Sequence, residues 1–402
     1  MNTNNTYVTA SPGATEISSS FPANSARHIA INGWQAGMGA VGLGVYTNRL
    51  LQGLARHLNS TALSATVLAP TAQMPNWAPM RVEPIPFKHL RHPVLDVMAW
   101  NHRLLSDRRL YEKDTVFFSP GALWGVRAPR GMAIVYHDCI YRHFPVYFGR
   151  LGYRRMLARL TERYLHRAQV VFTESQHARD DIAEWTGVAP EKFVVIPAWL
   201  PPEFTPEAAA SRVADVRARY NLPPRYWLYI GGYDVRKNVE FLIRAYARAR
   251  TAAPCPPLAL CGRIPQRTAP TLCDVAGARR ETQIESSALL EPGFIEDADL
   301  PALYAGSELL IFPSLMEGYG LTPLEAMGVG CPAIVADNSS LREVVRDAEY
   351  RFDTASSDRL TDMLISAARN PLPLNPSFRR EDHDEKSAMH RYLETLTKLG
   401  AA

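Results

Sequence analysis

Phe312-Pro-Ser-Leu-Met-Glu317-Gly-Tyr-Gly320-Leu-Thr322-Pro-Leu-Glu325-Ala-Met327 is the stretch from which the rest of the chain can be read. The apolar run Glu308-Leu-Leu-Ile-Phe312 before it reads as a buried strand, and a loop carrying Gly318 and Gly320 follows. Thr322-Pro323-Leu324-Glu325 then has the form of a capping box, with Thr at N-cap, Pro at the first helical position and Glu at N3. Two carboxylates, Glu317 and Glu325, therefore flank a Gly-containing turn at a helix N-terminus. Such a turn offers backbone N–H groups and a positive dipole end, which suit an anion such as a diphosphate. The plainer alternatives are that Glu325 is only a cap and Glu317 only a solvated loop carboxylate.

The same grammar recurs along the chain. Arg27-His-Ile-Ala-Ile-Asn32 reads as a strand, followed by Gly37, Gly39, Gly42 and Gly44, then a helix over about 45–58. Strand, Gly loop and helix together form a phosphate-cradling arrangement. Gly37-x-Gly39-x-x-Gly42 also matches a dinucleotide fingerprint, but no acidic residue follows the strand 65–69 until Glu83, so the ribose-binding carboxylate of an NAD site is missing. Asp114–Ser119 and Met132–Tyr136 read as buried strands. The second ends in His137-Asp138, where open α/β sheets place ligands; a locally hydrogen-bonded histidine is the alternative. Tyr226–Gly232 is a strand ending in a Gly pair, and Arg236-Lys237-Asn238 opens the next helix with Asn238 as its N-cap. Two cations disfavour a helix N-terminus unless an anion binds between them; a solvated turn is the alternative.

At 402 residues the chain is long enough for two domains. Strand–helix alternation in both halves predicts an α/β protein of two doubly wound parallel sheets facing a cleft. The expected division is a disordered leader over 1–26, an N-terminal domain over 27–200, a Pro-rich linker over 201–222, a C-terminal domain over 223–380 and a terminal helix over 381–402. Apolar residues make up 47% and charged residues 21%, ordinary for a soluble globular protein, and no run of about 18 uncharged apolar residues exists to span a bilayer. The five cysteines are scattered without a C-x-x-C pair, which favours reduced thiols in the cytoplasm. Charge is uneven. Residues 1–200 hold 21 Lys and Arg against 13 Asp and Glu, whereas 201–402 hold 23 against 27. A basic half suggests an anionic partner. Its most basic segment, 147–168, sets Arg150, Arg154, Arg155, Arg159, Arg163 and Arg167 on an amphipathic pattern. That suits an anionic membrane surface, or equally a domain helix with a solvated Arg face. No readout motif accompanies it, so nucleic-acid binding is not expected.

With these motifs in place, the chain from about Ile29 to Tyr392 resembles the retaining nucleotide-sugar glycosyltransferases of family 4, which have the GT-B architecture. The resemblance is carried by the E-x7-E pair Glu317 and Glu325, Gly293–Tyr304, Tyr229–Asn238, Gly42-Leu-Gly44-Val-Tyr46, His137-Asp138, and Phe378 with the helix after Asp384. It implies two Rossmann-like domains and a C-terminal helix crossing back to the first. It implies that Arg236 and Lys237 hold the diphosphate, Glu317 contacts donor-sugar hydroxyls and Glu325 binds the ribose. Gly232, Gly318, Tyr319, Gly320 and Leu321 would lie along the donor, Phe294 and Ile295 would line the base pocket, His137 would sit at the donor sugar, and Gly42 and Gly44 would face the diphosphate. Gly232 stands where many members carry Arg, Val45 where the loop often carries Arg, and Ala198-Trp199-Leu200 replaces a polar-Gly turn, which leaves the donor subtype open.

The resemblance is strongest to mannosyltransferases of bacterial polysaccharide assembly. It implies GDP-mannose as donor, another nucleoside-diphosphate sugar such as a UDP-sugar being the alternative. The implied acceptor is a glycan on a polyprenyl-diphosphate lipid, and the implied location is cytoplasmic, peripheral at the inner membrane face. No cofactor and no metal are expected: Asp297-x-Asp299 and Asp382-x-Asp384 match D-x-D, but neither follows a buried strand. Two rival readings are an NAD-dependent oxidoreductase, which leaves Glu317 and Glu325 unexplained, and a catalytically silent scaffold of the same fold, which the full charged set disfavours.

Overall fold

The computed structural model describes residues 27–399 apart from 39–41, 72–73, 88–89, 91, 122 and 149–152. The expected leader over 1–26 lies outside the described residues, as does Gly39 of the Gly loop. Among the described residues, thirteen strands fall into two sheets. The first holds β1 (Arg27–Asn32), β2 (Leu63–Ala69), β3 (Arg81–Pro84), β4 (Thr115–Ser119), β5 (Gly131–Val135), β6 (Val170–Thr173) and β7 (Phe193–Val195), in the order β3-β2-β1-β4-β5-β6-β7. The second holds β8 (Trp227–Ile230), β9 (Leu258–Cys261), β10 (Leu289–Gly293), β11 (Leu309–Phe312), β12 (Ala333–Ala336) and β13 (Arg351–Phe352), in the order β10-β9-β8-β11-β12-β13. Neighbouring strands run parallel, for example β1 beside β4 with Ile29 opposite Val116, and β11 beside β12 with Ile311 opposite Ile334. Residues of β4, β9, β11 and β12 are buried throughout, as expected when helices cover both faces of a parallel sheet. The alternation read from the sequence is thus the alternation that folds.

Compactness divides the chain into two units. One comprises Met1–Ile134, Arg167–Gln169 and Leu393–Ala402; the other comprises Val135–His166 and Val170–Tyr392. In the first, the C-terminal end of β1 is closed by polar groups that satisfy one another. Asn32 donates to Ser119 Oγ at 3.0 Å and accepts from the Trp100 indole at 2.9 Å. The end of the last helix, Glu385–Leu399, belongs to this unit from Leu393 onward, and Arg27 donates to the Thr397 carbonyl. In the second unit, Tyr392 of the same helix packs on Phe172 and Trp199.

Several expectations need correction. The stretch 201–222, expected as a linker, folds into two short helices, Pro206–Ala210 and Val213–Arg219, with Ala209, Val216 and Leu222 in the core of the second unit. Pro206 takes the first position of its helix instead of breaking it. Asn238 does not cap the helix Val239–Ala252 with its side chain; it enters in the left-handed region at φ 54° and makes no cap bond. The capping box at Thr322 does not form either. The helix begins at Leu321, one residue before Thr322, and its N-cap is Gly320 at φ 118°. Glycine adopts this conformation without a Cβ clash, so the chain turns into the helix earlier than the side-chain pattern indicates. The basic segment 147–168 is not one helix. Tyr147 lies in the 3-10 turn Pro145–Phe148, and the α-helix runs Tyr153–Leu165.

Candidate active site

The site is assembled at the C-terminal ends of β8 and β11, the two central strands of the second sheet. After β8 the chain passes Gly231 and Gly232 and enters the 3-10 turn Val235–Lys237. After β11 it passes Ser314 and Met316 to Glu317. Backbone and side-chain bonds knit the two turns together. Leu315 N–H donates to the Arg236 carbonyl at 2.8 Å, and Arg236 Nη1 donates to the Met316 carbonyl at 2.8 Å. Lys237 Nζ stands 2.6 Å and Arg236 Nη1 2.7 Å from the same Glu317 oxygen, Oε1. All three side chains are largely shielded, with exposures of 13–15%. Lys237 also lies over the Phe312 ring, 4.8 Å from its centroid. Arg236, Lys237 and Glu317, eighty residues apart in sequence, are thus one charged cluster.

Burial alone pushes the Glu317 carboxyl up, but the Lys237 and Arg236 charges beside it outweigh that and leave it below the usual carboxylate range. Burial would weaken the Arg236 charge, yet Glu317 and Asp234 hold its pKa above the usual value. The cluster is therefore a carboxylate held between two cations.

His137 and Asp138, just past β5, come to the same place. A methyl group on Gly318 would sit 2.7 Å from the His137 carbonyl oxygen and 3.1 Å from Asp138 Oδ2, so only glycine lets the two turns approach so closely. His137 Nδ1 lies 2.8 Å from Glu174 Oε1, which fixes the ring. Burial raises the Asp138 carboxyl pKa against the opposing pull of the Ile140 N–H and the His137 and Arg236 charges.

The other candidates stand on different contacts. Glu325 is buried and accepts from the Tyr304 hydroxyl at 3.0 Å. Tyr319 is buried, with its hydroxyl 3.3 Å from His383 Nδ1. Leu321 opens the helix Leu321–Gly328; the first helical bond to the turn runs from Leu324 N–H to the Gly320 carbonyl at 3.3 Å. The N–H groups of Leu321 and Thr322 therefore have no partner within the helix. Phe294 is exposed beneath the Arg263 guanidinium, 5.2 Å from the ring centroid, while Ile295 is buried. Gly232 is exposed and its carbonyl accepts from Tyr229. Gly42, at φ 41°, is the exposed N-cap of the helix Leu43–Leu58, and Gly44 is buried in its first turn; both belong to the first unit. Asp299 is committed to Arg212 and Arg219, each at 2.6 Å. It therefore serves as a structural anion.

The structure adds residues that local pattern did not flag. Tyr147 donates to Asp234, and Asp234 stands 3.4 Å from Arg236 Nε. Ser339, Ser340 and Ser175 bond to the Glu317 turn, and Asn338 donates to the Ser314 carbonyl just before it. Apart from the Asp234–Arg236 pair, these partners lie 20 or more residues apart, so no spacing rule points to them.

Comparison with known proteins places the chain in a family. Residues 42–204 match the model described as Glycosyltransferase Family 4, and residues 215–383 match Glycosyl transferases group 1. The serotype-specific mannosyltransferase WbdA of Escherichia coli is 31% identical over 189 residues, 46% of this chain and 23% of that protein. The match thus spans about a quarter of WbdA. The O-antigen chain mannosyltransferase B of Escherichia coli is 28% identical over 281 residues, covering 67% of this chain and 70% of that one. In fold, the chain is similar to sucrose-phosphate synthase of Thermosynechococcus elongatus, with a TM-score of 0.65 and 18% identity over 93% of this chain and 98% of that one. It is equally similar to HepE of Anabaena solved with UDP and glucose, with a TM-score of 0.65 and 14% identity over 92% and 99%. Two parallel-sheet, Rossmann-like domains give the chain the GT-B fold. More narrowly, the chain belongs to glycosyltransferase family 4.

Proposed function

We propose that this glycosyltransferase moves mannose from GDP-mannose to a hydroxyl of a lipid-diphosphate-linked glycan, with retention at the anomeric carbon. The observation that carries this reading is the convergence of Lys237 and Arg236 on Glu317 beside the Gly318–Gly320 turn. The mannosyltransferase relatives support the choice of sugar.

Breaking a glycosyl–phosphate bond builds negative charge on the departing diphosphate. Arg236 and Lys237 are cations already held in place, so they would meet that charge without a reorganisation cost. The N–H groups of Leu321 and Thr322, at the positive end of their helix, add to the same field. Gly320 and Gly318 let the backbone approach the phosphates, and Gly232 does the same from the β8 side. Glu317, ionised and wedged between the cations, would accept hydrogen bonds from donor-sugar hydroxyls. Glu325, in its buried seat with Tyr304, would hold the ribose. Phe294 and Ile295 would flank the base, and His137, oriented by Glu174, would face the donor sugar. The acceptor hydroxyl would pass its proton to the departing phosphate on the same face, so no separate protein base is assigned. No metal is assigned to the reaction.

The acceptor's diphosphate lipid would place the enzyme at the inner membrane face. Among the described residues no helix is long and apolar enough to cross a membrane. The helix Tyr153–Leu165 buries Tyr164 and Leu165 and exposes Arg155, Met156, Arg159 and Arg163, which gives a basic face for an anionic leaflet.

The test is release of free nucleoside diphosphate across a panel of sugar nucleotides, with and without EDTA. GDP released from GDP-mannose, undiminished by EDTA, is the expected result. UDP released from a UDP-sugar would replace the donor, loss with EDTA would restore a metal, and silence across the panel would overturn the reading.

A further inference from the structure

The turn Glu317–Gly320 is held from outside by a closed ring of hydrogen bonds. Ser340 Oγ lies 2.8 Å from the Glu317 carbonyl oxygen and 2.7 Å from the Tyr319 carbonyl oxygen, so the two carbonyls share its single hydroxyl proton. Glu317 N–H donates to Ser339 Oγ at 3.1 Å. Ser175 Oγ donates to the carbonyl between them, that of Gly318, at 2.8 Å. Each carbonyl from Glu317 to Tyr319 is thus engaged by a serine, two from one side and one from the other.

The two sides are joined. Ser340 immediately precedes the short helix Leu341–Val344, which carries Glu343. Ser175 is the N-cap of the helix Gln176–Thr186 and also accepts from Ala178 N–H at 2.9 Å. Glu343 bridges them: its Oε2 accepts from Gln176 N–H at 2.9 Å and its Oε1 from His177 N–H at 2.7 Å. A carboxylate with one oxygen on each of two successive N–H groups, at the positive end of an eleven-residue helix, is a strong and directional clamp. The path therefore closes: turn, Ser340, Glu343, helix N-terminus, Ser175, turn.

We infer that Ser175 and Glu343 are positioning residues that fix the Glu317–Gly320 turn against the donor. The inference rests on the proposed function, because it assigns the turn to the donor. Ser175 meets the turn through a backbone carbonyl, and Glu343 meets it only through Ser340 and Ser175, so neither side chain is itself assigned to the donor. Their effect is geometric. Freeing the Gly318 carbonyl lets the peptide plane rotate, which moves the Glu317 side chain and the Gly318–Gly320 amides together. Because a small misplacement of a catalytic group costs far more in rate than in binding, kcat should fall while nucleotide affinity holds.

The experiment uses the full chain and the variants Ser175→Ala, Glu343→Ala, Glu343→Gln and the double alanine variant. Nucleoside-diphosphate release gives kcat and KM for the donor, and amide hydrogen exchange is followed in the peptide spanning 317–324. Each single alanine variant is expected to lower kcat about tenfold with donor KM within about threefold. Exchange in that peptide should quicken in both, and Glu343→Gln, which keeps one acceptor, should recover part of the loss. The double variant should lose less than the product of the singles, as members of one circuit do. Unchanged exchange in the turn, or kcat within about twofold of the parent in both alanine variants, would overturn the inference. A parent protein silent on every donor would sink the proposed function instead, and the exchange arm would still decide whether the circuit holds the turn.

Discussion

Glu317 is the residue on which two cations depend, and they in turn set its charge. Removing Lys237 takes away a cation 2.6 Å from that carboxylate and, on the proposed reading, one of two that meet the leaving diphosphate. Lys237→Ala is expected to lower nucleoside-diphosphate release about 10²- to 10³-fold, as loss of one preorganised contact does. Glu317→Gln should do the same while the far-UV spectrum stays unchanged; near-parental turnover in both would remove the site. The Glu317 pKa lies below its ordinary 4.5, so its ion-pair contribution is complete above that pH and is lost only as pH falls through the lowered folded value. Any acidic limb of the rate profile above pH 5 therefore belongs to another group. Stability has a separate acid dependence. Burial, with Arg109 nearby, lowers His28 from 6.5 to about 4, and burial also lowers His383. The unfolded chain takes these protons first, so stability is full above about 6.5 and falls as pH drops from there towards 4. Melting temperatures across pH 7 to 4 should decline, and His28→Gln should flatten part of that slope. Arg236 and Lys237 stand out in the sequence as two cations at a helix start and Glu317 as a carboxylate in a Gly-containing turn; that the three meet is what the structure adds. Ser175 and Glu343 do not stand out, because their partners lie 143 to 167 residues away and serine and glutamate are unremarkable wherever they stand.

At the scale of the element, the clearest lesson lies in the helix Leu321–Gly328. Thr-Pro-x-Glu has every mark of a capping box, yet Gly320 starts the helix at φ 118°, ψ 56° and Thr322 is already inside it. The pattern identified the element and its approximate start, which is what propensity can do. It misassigned the cap because the left-handed entry is a property of one glycine and of the packing around it. A methyl on Gly320 would meet Leu341 Cδ2 at 2.9 Å. Thr322→Ala is therefore expected to cost less than about 0.5 kcal/mol, well short of the roughly 1 kcal/mol typical of a lost side-chain cap. Gly320→Ala should cost more than about 1 kcal/mol, from strain at positive φ plus that contact. Urea denaturation of the two variants checks the order; equal losses would restore the capping box. The strands were more readable than the caps. A buried parallel strand is a continuous apolar run, and β4, β9, β11 and β12 lie within a residue or two of where such runs fall. The 201–222 stretch failed for the opposite reason: its prolines signal a break, although each can also start a helix, as Pro206 does.

At the scale of the molecule, charge is the property the sequence displays most openly and the fold qualifies. The excess of 21 basic over 13 acidic residues in the first 200 does not act as a uniform field. Some of its arginines are consumed inside: Arg109 is buried on Asp107 and Glu83, and Arg142 is paired with Glu162. What the helix Tyr153–Leu165 leaves outside is narrower and better ordered. Arg155, Arg159 and Arg163 recur every four residues, which sets them on one face, and Met156 beside them is 48% exposed. Glu162, Tyr164 and Leu165 are buried, so the basic face cannot turn inward without emptying the core. Three arginines near an anionic leaflet supply roughly 1 kcal/mol each, which is a reversible attachment rather than an anchor. The protein is accordingly expected to cosediment with vesicles containing anionic lipid at low ionic strength and to leave them as salt approaches about 0.5 M, where the Debye length shrinks to a few ångströms. Arg159→Glu with Arg163→Glu should abolish cosedimentation while leaving release of nucleoside diphosphate from a water-soluble reaction mixture unchanged, because both side chains are exposed and neither is assigned to the donor site. Binding that persists in high salt, or that survives both charge reversals, would mean the arginine face is only solvated and that the acceptor, if lipid-linked, is reached some other way.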